Sequence, residues 1–449
     1  MKRKIYDRLL EWKKNEAPKA ALLIDGARRV GKSWIAEEFA KREYRSYVLI
    51  DFAKAPKEVK SLFEKYQERL DVLFLRLSEY YGVRLHERET LFVFDEVQMC
   101  PKARESIKHL VADGRYDYLE TGSLVSIDEN VRDIVIPSEE IRVKMFPMDF
   151  EEFLWAKGDE TTTGFVKEHF DRLEPLGRLF HGRTMDSFRE YAIVGGMPQA
   201  VAEFVGSADL GKVDAVKRRI LKLYREDIRK HAGRYALKTE LVFDSLAAQL
   251  SRHEKKFRLS ALGGEARMRE YEDAFMWLKE AMVVNAAFRS TEPNIGLNLN
   301  AEHVTLKCYV ADTGLLVSMA FNERQLLAEQ IHKRLLFDDL ELNKGMIVEN
   351  VVAQMLAASD HELFFYSTTG DSRADRMEID FLVPAASIGR NHNIRPLEVK
   401  SSRRYAHASL DRFVAKYGRY LTTPVVLHSK DVAQRNGVLH LPLYMAGFL

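Results

Sequence analysis

The sequence predicts a multidomain chain of the α/β class: a doubly wound parallel sheet near the N-terminus, an all-helical stretch after it, and a smaller α/β domain at the end. Three observations predict this. Residues 20–25 and 91–94 are short, nearly continuous apolar runs, the character of strands buried on both faces beneath flanking helices. From about 188 to 288 apolar residues recur every three or four positions, the period of a helix that buries one side. Beyond 306 short β-like runs return, around 363–366, 378–383 and 394–400. At 449 residues the chain also exceeds the size that one hydrophobic core usually serves.

The first strand consists of Ala20, Ala21, Leu22, Leu23, Ile24 and Asp25. It runs directly into Gly26, Ala27, Arg28, Arg29, Val30, Gly31, Lys32 and Ser33, and Trp34 then opens an amphipathic helix over 34–42. The eight residues fit G-x-x-x-x-G-K-S/T at each fixed position, in the strand–loop–helix order a P-loop requires. A loop that wraps a triphosphate needs glycines where backbone nears oxygen, and its N–H groups together with the helix N-terminus supply positive potential. Lys32 is expected at the β and γ phosphates, Ser33 on magnesium, and the loop with Trp34 around the nucleotide, so ATP and Mg2+ are the expected ligands.

The metal also needs a carboxylate from a second strand, and Leu91, Phe92, Val93 and Phe94 end in Asp95 and Glu96. Asp95 takes the metal side; Glu96 is the candidate catalytic base that polarises the attacking water. A third strand over 116–121 ends in Gly122 and Ser123. The hydroxyls of Thr121 and Ser123 thus reach the carboxyl edge of the sheet, where ligands sit in open α/β folds. Either is a candidate γ-phosphate sensor, although a plain strand-end turn uses the same residues. Arg132 and Arg142 are candidate transition-state arginines.

These pieces, with Phe146, Pro147, Met148, Asp149, Phe150, Glu151, Glu152, Phe153 and Leu154 and with Gly195, Gly196, Met197 and Pro198, resemble a large bacterial and archaeal family of AAA-type ATPases. Members carry a C-terminal domain of unknown function and are related to the signal-transducing STAND ATPases. The resemblance extends over nearly the whole chain. It implies that Gly196 and Pro198, in a helical subdomain, pack near the adenine; on their own these residues read as a helix-breaking turn. Where many relatives place a Gly-Arg pair, this chain has Pro137, Ser138, Glu139, Glu140, Ile141 and Arg142, so no arginine role carries over.

In the helical stretch Val216, Ile220, Leu221, Leu223 and Tyr224, then Leu241, Phe243, Leu246, Ala247 and Leu250, keep the helical spacing. After Leu259 and Ser260 the chain passes through 261–264 into a helix reaching about Ala281, then a β-like segment with Val283, Val284, Ala286 and Phe288 and a loop over 291–298. Two helices, a short turn, a longer helix and a wing describe a winged helix-turn-helix, which the family resemblance also implies. Arg252, His253, Lys255, Lys256, Arg258, Arg267 and Arg269 gather around the turn, as contact with the phosphates of double-stranded DNA requires. Glu254, Glu265, Glu270, Glu272 and Asp273 dilute that patch, which leaves a packing module or a protein partner equally open.

Lys307, Cys308, Tyr309, Val310, Ala311, Asp312, Thr313, Gly314, Leu315 and Leu316 look like the family's characteristic strand and turn. Asp312 reads as structural, because Asp ahead of a short helix is commonly an N-cap. The next helix, 344–357, carries Glu349 among Met346, Ile347, Val351, Val352 and Met355. Positions 380 and 398 are equidistant from Gly389, so a hairpin folded there sets Asp380 opposite Glu398, and alternation puts Lys400 on the same face. Two carboxylates that bind a divalent metal beside a lysine that steadies the attacking water form the D…E-x-K core of restriction-type nucleases. Glu349, Asp380 and Glu398 are then candidate metal ligands, and Asp380, Glu398 and Lys400 candidate catalytic residues. The alternative is an exposed hairpin whose cross-strand acid and lysine pairs serve solubility.

Apolar residues at 46% and charged residues at 30% exclude a fibre or a disordered chain. A formal charge of +2 is too small to mark a nucleic-acid protein, so DNA contact rests on local patches. Cys100 and Cys308 form no C-x-x-C pattern, which fits a reducing compartment. The N-terminus, with Ile5, Leu9, Leu10 and Trp12 among charges, is amphipathic rather than a secretory signal, and no run approaches the roughly 20 apolar residues of a membrane span, so the cytoplasm is expected and a membrane partner is not.

The expected architecture is therefore a P-loop NTPase core over 1–150, a helical lid over 151–235, a winged-helix module over 236–305 and a restriction-nuclease-like α/β domain over 306–449. The expected function is magnesium-dependent ATP hydrolysis that couples nucleotide state to DNA binding and gates metal-dependent cleavage. The alternative is a signalling or chaperone-like switch that binds protein partners and keeps an inactive nuclease-like domain. A small-molecule kinase is a third use of such a loop, disfavoured by the added domains, and a homo-oligomer stays open throughout.

Overall fold

The computed structural model describes residues 1–123, 135–252, 255–262, 267–294, 296–321, 344–368, 376–385, 393–402 and 405–449. Arg132, His253, Glu254, Gly264, Glu265 and Gly389, used above, lie outside the described residues. The chain divides into two compact units, Met1–Phe146 with Glu280–Met282, and Pro147–Lys279 with Val283–Leu449.

The first unit is built on β1 (Ala21–Asp25), β2 (Ser46–Asp51), β3 (Thr90–Asp95), β4 (Asp117–Gly122) and β5 (Glu140–Lys144). They form one sheet in the order β2-β3-β4-β1-β5, with every pairing parallel. The apolar runs read from the sequence are β1 and β3, and β3 is buried along its whole length, as a strand covered on both faces must be. Phe52, Phe63 and Phe94 pack edge to face in the core beneath it. Because β4 lies between β1 and β3, the carboxyl ends of these three strands are neighbours. The chain leaves β1 to one side for β2 and returns to its other side with β5, so that edge is the topological switch point where such sheets bind ligands. β5 was not anticipated, since Glu140, Ile141, Arg142, Val143 and Lys144 alternate charge with apolar character, as befits a strand at the sheet's edge.

The second unit begins with helix Phe150–Ala156, which a capping box starts: the Asp149 side chain accepts from the Glu152 N–H at 2.9 Å, and Glu152 accepts from the Asp149 N–H at 3.2 Å. Helices Arg178–Val194, Pro198–Ser207, Leu210–His231 and Ala236–Leu250 follow. Leu210–His231 buries Val216, Ile220, Leu221 and Tyr224, the stripe its spacing predicted, whereas Leu241 of the next helix faces outward at 42% exposure.

An eight-stranded mixed sheet completes this unit: β6 (Val284–Ser290), β7 (Ala301–Val310), β8 (Leu363–Thr368), β9 (Met377–Pro384), β10 (Ile394–Val399), β11 (Val425–His428), β12 (Ala433–Arg435) and β13 (Val438–Pro442), in the order β12-β13-β11-β10-β9-β8-β6-β7. Two expectations are corrected here. The segment expected as a wing is β6, hydrogen-bonded antiparallel to β7 and parallel to β8, so it belongs to the C-terminal sheet. The boundary placed between 305 and 306 consequently falls inside β7, and the regions expected as lid, winged helix and C-terminal domain make one compact unit. Local alternation of apolar residues is the same for a free hairpin and for an inner strand, so only the long-range partners separate them. The helix expected to be the longer one after the turn, Glu272–Glu280, has 9 residues against 15 in Ala236–Leu250.

The hairpin register agrees with its symmetry about Gly389. Ile394 pairs with Pro384 and Leu397 with Phe381, and one further step sets Glu398 opposite Asp380. Asp312 caps helix Thr313–Ala320 as expected, its Oδ1 accepting from the Leu315 N–H at 2.9 Å.

Candidate active site

Between β1 and helix Lys32–Glu43, the loop of residues 26–31 turns through backbone that its sequence is built to tolerate. Gly31 has φ 101° and ψ 20°, a conformation that a side chain resists, and it stands at the helix start without any side-chain cap. The first N–H groups of that helix are therefore left for an anion. Gly26 has a different reason to be glycine: a Cβ there would meet the Met145 carbonyl oxygen at 2.4 Å. Ala27 and Val30 are buried under the loop, Arg28 is half-buried, and Arg29 and Trp34 are exposed.

Lys32 is buried, and its Nζ donates to the carbonyls of Gly26 at 2.7 Å and Ala27 at 2.9 Å. Burial pulls its pKa down to about 8, against the pull of Glu96, Asp25 and Asp95. Asp95, at the end of β3, is 7% exposed; its Oδ1 accepts from the Ser33 hydroxyl at 2.7 Å and from the Thr121 hydroxyl. Burial pushes the Asp95 carboxyl above its ordinary value, with the bonds from Thr121 and Ser33 opposing. A hydroxyl and a carboxylate brought together at the foot of the loop are the hard-oxygen donors magnesium takes in a P-loop, so Ser33 and Asp95 fit that ion.

Glu96 sits in left-handed backbone at φ 53°, an unusual state for a residue with a side chain, and one that turns its carboxylate away from the strand direction. Its Oε2 accepts from Gln98 Nε2 at 2.5 Å and, more weakly, from the Ser123 hydroxyl at 3.4 Å. The two candidate sensors thus divide: Thr121 attends Asp95, and Ser123 attends Glu96.

Gln98 and Arg3 are functional-site residues the sequence did not reveal. Arg3 is buried and spans the loop, donating to the carbonyls of Val30 and Phe146, both at 2.7 Å. Arg142 donates to Glu140 at 2.8 Å, beside the bidentate grip of Arg104 on the same carboxylate, which engages it within the sheet. Pro198 opens helix Pro198–Ser207 in the second unit. There Gly196 accepts from the Met148 N–H at 2.7 Å and donates to Asp312 Oδ2 at 2.5 Å, so the two segments that carried the family resemblance bond to each other.

The second unit gathers acids around a different lysine. Lys307, fully buried on β7, lies 3.2 Å from Glu349 Oε1, 3.0 Å from Glu378 Oε1 and 3.4 Å from Asp380 Oδ1. Lys255 binds the other oxygen of Glu349 at 2.6 Å. Burial alone would lower the Lys307 pKa, but Glu349, Tyr309, Asp380 and Glu378 outweigh it and hold the ammonium well above its ordinary value. Burial and Glu349 push Asp380 up. Glu398 is buried and pushed up by that burial; Lys400 donates to one of its oxygens, and the other has no hydrogen-bond partner among the described residues.

Glu349, Asp380 and Glu398 were expected to hold a divalent metal. Among the described residues no group of three or more His, Cys, Asp or Glu side chains is arranged to do so, and an ammonium stands among the acids, so these residues do not fit the ion. Lys255, expected to face DNA phosphates, is likewise turned to Glu349.

Sheet order, loop and paired acids together define the first unit as a P-loop nucleoside triphosphatase. Comparison with known proteins agrees: residues 18–154 match the family model described as AAA domain, so the first unit holds an AAA-type P-loop ATPase domain, and the chain is an ATPase. Residues 185–326 and 344–444 match two models described as Domain of unknown function (DUF8612) and Domain of unknown function (DUF4143). Among curated proteins none matches. Similar solved structures include a Walker-type ATPase of Pyrococcus abyssi, at 16% identity over 71% of this chain and 95% of that one with a TM-score of 0.40. The ORC2 protein of Aeropyrum pernix is similar at 12% identity over 74% of this chain and 92% of that one, with a TM-score of 0.35. Among the described residues no helix is long and apolar enough to cross a membrane.

Proposed function

We propose that this chain is a magnesium-dependent ATPase whose nucleotide state sets the binding of its second unit to duplex DNA, without cutting it. The convergence of the Ser33 and Thr121 hydroxyls on Asp95, at the foot of a loop whose lysine donates to two backbone carbonyls, carries the ATPase half. On binding, Lys32 exchanges the carbonyls of Gly26 and Ala27 for oxygens of the β and γ phosphates. Magnesium held by Ser33 and Asp95 supplies neutralisation of the phosphate charge. Glu96 accepts the proton of the water whose oxygen attacks the γ phosphorus while the bond to the bridging oxygen of ADP breaks. Gln98 and Ser123 hold that carboxylate before the nucleotide arrives, and Ser123 then reads the γ-phosphate.

Exposed Arg258, Arg267 and Arg269 in the second unit support the DNA half. The exposure of Glu270 and Glu272 and the diversion of Lys255 to Glu349 favour a protein partner as the second reading. Phosphate release from ATP tests the first half: Glu96→Gln retains nucleotide binding and loses turnover by about 100-fold or more, and equal turnover in parent and variant overturns it. Duplex affinity measured across salt tests the second, because bound phosphates release counterions and log affinity then falls linearly with log salt. A salt-independent or absent interaction removes DNA in favour of a protein.

A further inference from the structure

We infer that the acid cluster of the second unit is closed by an internal cation: the Lys307 ammonium stands against Glu349 and Asp380, two of the three acids that a restriction-type nuclease would turn to its divalent metal, and the cluster binds none. The inference is independent of the ATP-hydrolysing site, which lies in the other unit.

The ammonium of Lys307 donates to Glu349 Oε1 and Asp380 Oδ1, and a third carboxylate oxygen, from Glu378, lies at ion-pair distance, 3.0 Å away. The remaining oxygens of Glu349 and Asp380 are also taken. Glu349 Oε2 is bound by Lys255, and Asp380 Oδ2 accepts from the Val399 N–H at 2.8 Å. The Tyr309 hydroxyl adds a bond to Glu349 Oε1 at 2.5 Å. Among the described residues, two ammoniums thus face three carboxylates within ion-pair distance, leaving a single negative charge where a divalent ion needs several free oxygens.

A divalent ion draws oxygens to about 2.0 to 2.6 Å, closer than any of them lies to Lys307, and it cannot share the space with an ammonium of like charge. Displacing that ammonium is no remedy. Its stem is fixed in β7, whose partner β6 lies inside the sheet, and its charge also faces the Phe365 ring at 5.2 Å. Moving it elsewhere in the interior leaves an unpaired buried cation. The fold keeps the order of helix acid, hairpin acid and second hairpin acid, and a side chain neutralises the first two of them.

Mn2+ binding to the full chain, free of nucleotide and carrying Asp95→Asn to remove the ATPase carboxylate, tests this by electron paramagnetic resonance. That chain is expected to bind no Mn2+ at the cluster, so adding Asp380→Asn changes nothing. Adding Lys307→Met instead is expected to create one Mn2+ site, lost again when Asp380→Asn is combined with it. Mn2+ binding before any change at Lys307 that disappears with Asp380→Asn overturns the inference, as does a folded Lys307→Met chain that binds no Mn2+. Should Lys307→Met fail to fold by circular dichroism, the comparison with and without Asp380→Asn decides alone.

Discussion

Lys32 and Lys307 are both buried lysines among carboxylates, one in each unit, and they are held in opposite ways. Lys32 donates to two backbone carbonyls, and burial draws its pKa down to about 8. Lys307 is ion-paired with three carboxylates, which outweigh burial and raise its pKa well above the ordinary value. Carbonyls are weak partners for a cation, so a triphosphate displaces them with a gain; carboxylates are strong partners, and nothing that enters improves on them. A lysine beside acids marks a ligand site only when its present partners can be exchanged.

The largest effect that distinguishes the two is on stability. Lys307→Met leaves buried carboxylates unpaired and is expected to destabilise the second unit by about 3 to 5 kcal/mol in denaturant unfolding, while Lys32→Met costs the first unit little. Near-equal costs break the contrast. Activity behaves inversely: Lys32→Ala is expected to lower ATP turnover by about 100- to 1,000-fold, with the second unit's unfolding unchanged.

A third consequence concerns pH. In the empty protein Lys32 loses its proton above about 8, and the triphosphate must restore it, so ATP affinity is level below that pH and falls by about tenfold per unit above it. Nucleotide titrations from neutral to alkaline pH check this, and a flat profile shows that Lys32 is charged before ATP arrives. The smallest effect is at Glu120, fully buried beside Glu140, whose pKa burial raises well above 4.5. A raised carboxyl pKa favours the protonated folded state, so the stability it contributes is complete below 4.5 and is lost as pH rises through the folded value. Glu120→Gln is expected to remove that slope and to stabilise the first unit at alkaline pH; an unchanged slope assigns the pH dependence to other groups.

Much of the first unit was legible because its chemistry is contiguous. Gly26 to Ser33 name their loop, and Asp95 and Glu96 end a strand whose apolar run shows that it is buried. Arg3 and Gln98 were not legible, since an arginine near the N-terminus and a glutamine after a strand have countless ordinary uses, and only the fold brings them to Val30 and Glu96. In the second unit the hairpin register was readable from symmetry about Gly389, and the cap at Asp312 from local chemistry. Lys307 reads from the sequence as one residue of a strand, with nothing local to mark its partners. The available signal was a lysine heading the run Cys308, Tyr309 and Val310, all buried, where a cation needs partners that only distant Glu349, Glu378 and Asp380 supply. β6 was misplaced for the same reason: its partners in β7 and β8 are not local.

The number of Mn2+ ions bound per chain, measured by equilibrium dialysis with and without ATP, tests most directly the claim that one of these lysine sites takes a metal-bound nucleotide and the other is sealed. The account predicts one Mn2+ for each bound nucleotide and none without nucleotide, with Asp95→Asn abolishing the bound ion. A Mn2+ ion that stays on the chain in the absence of ATP and leaves with Asp380→Asn would contradict it.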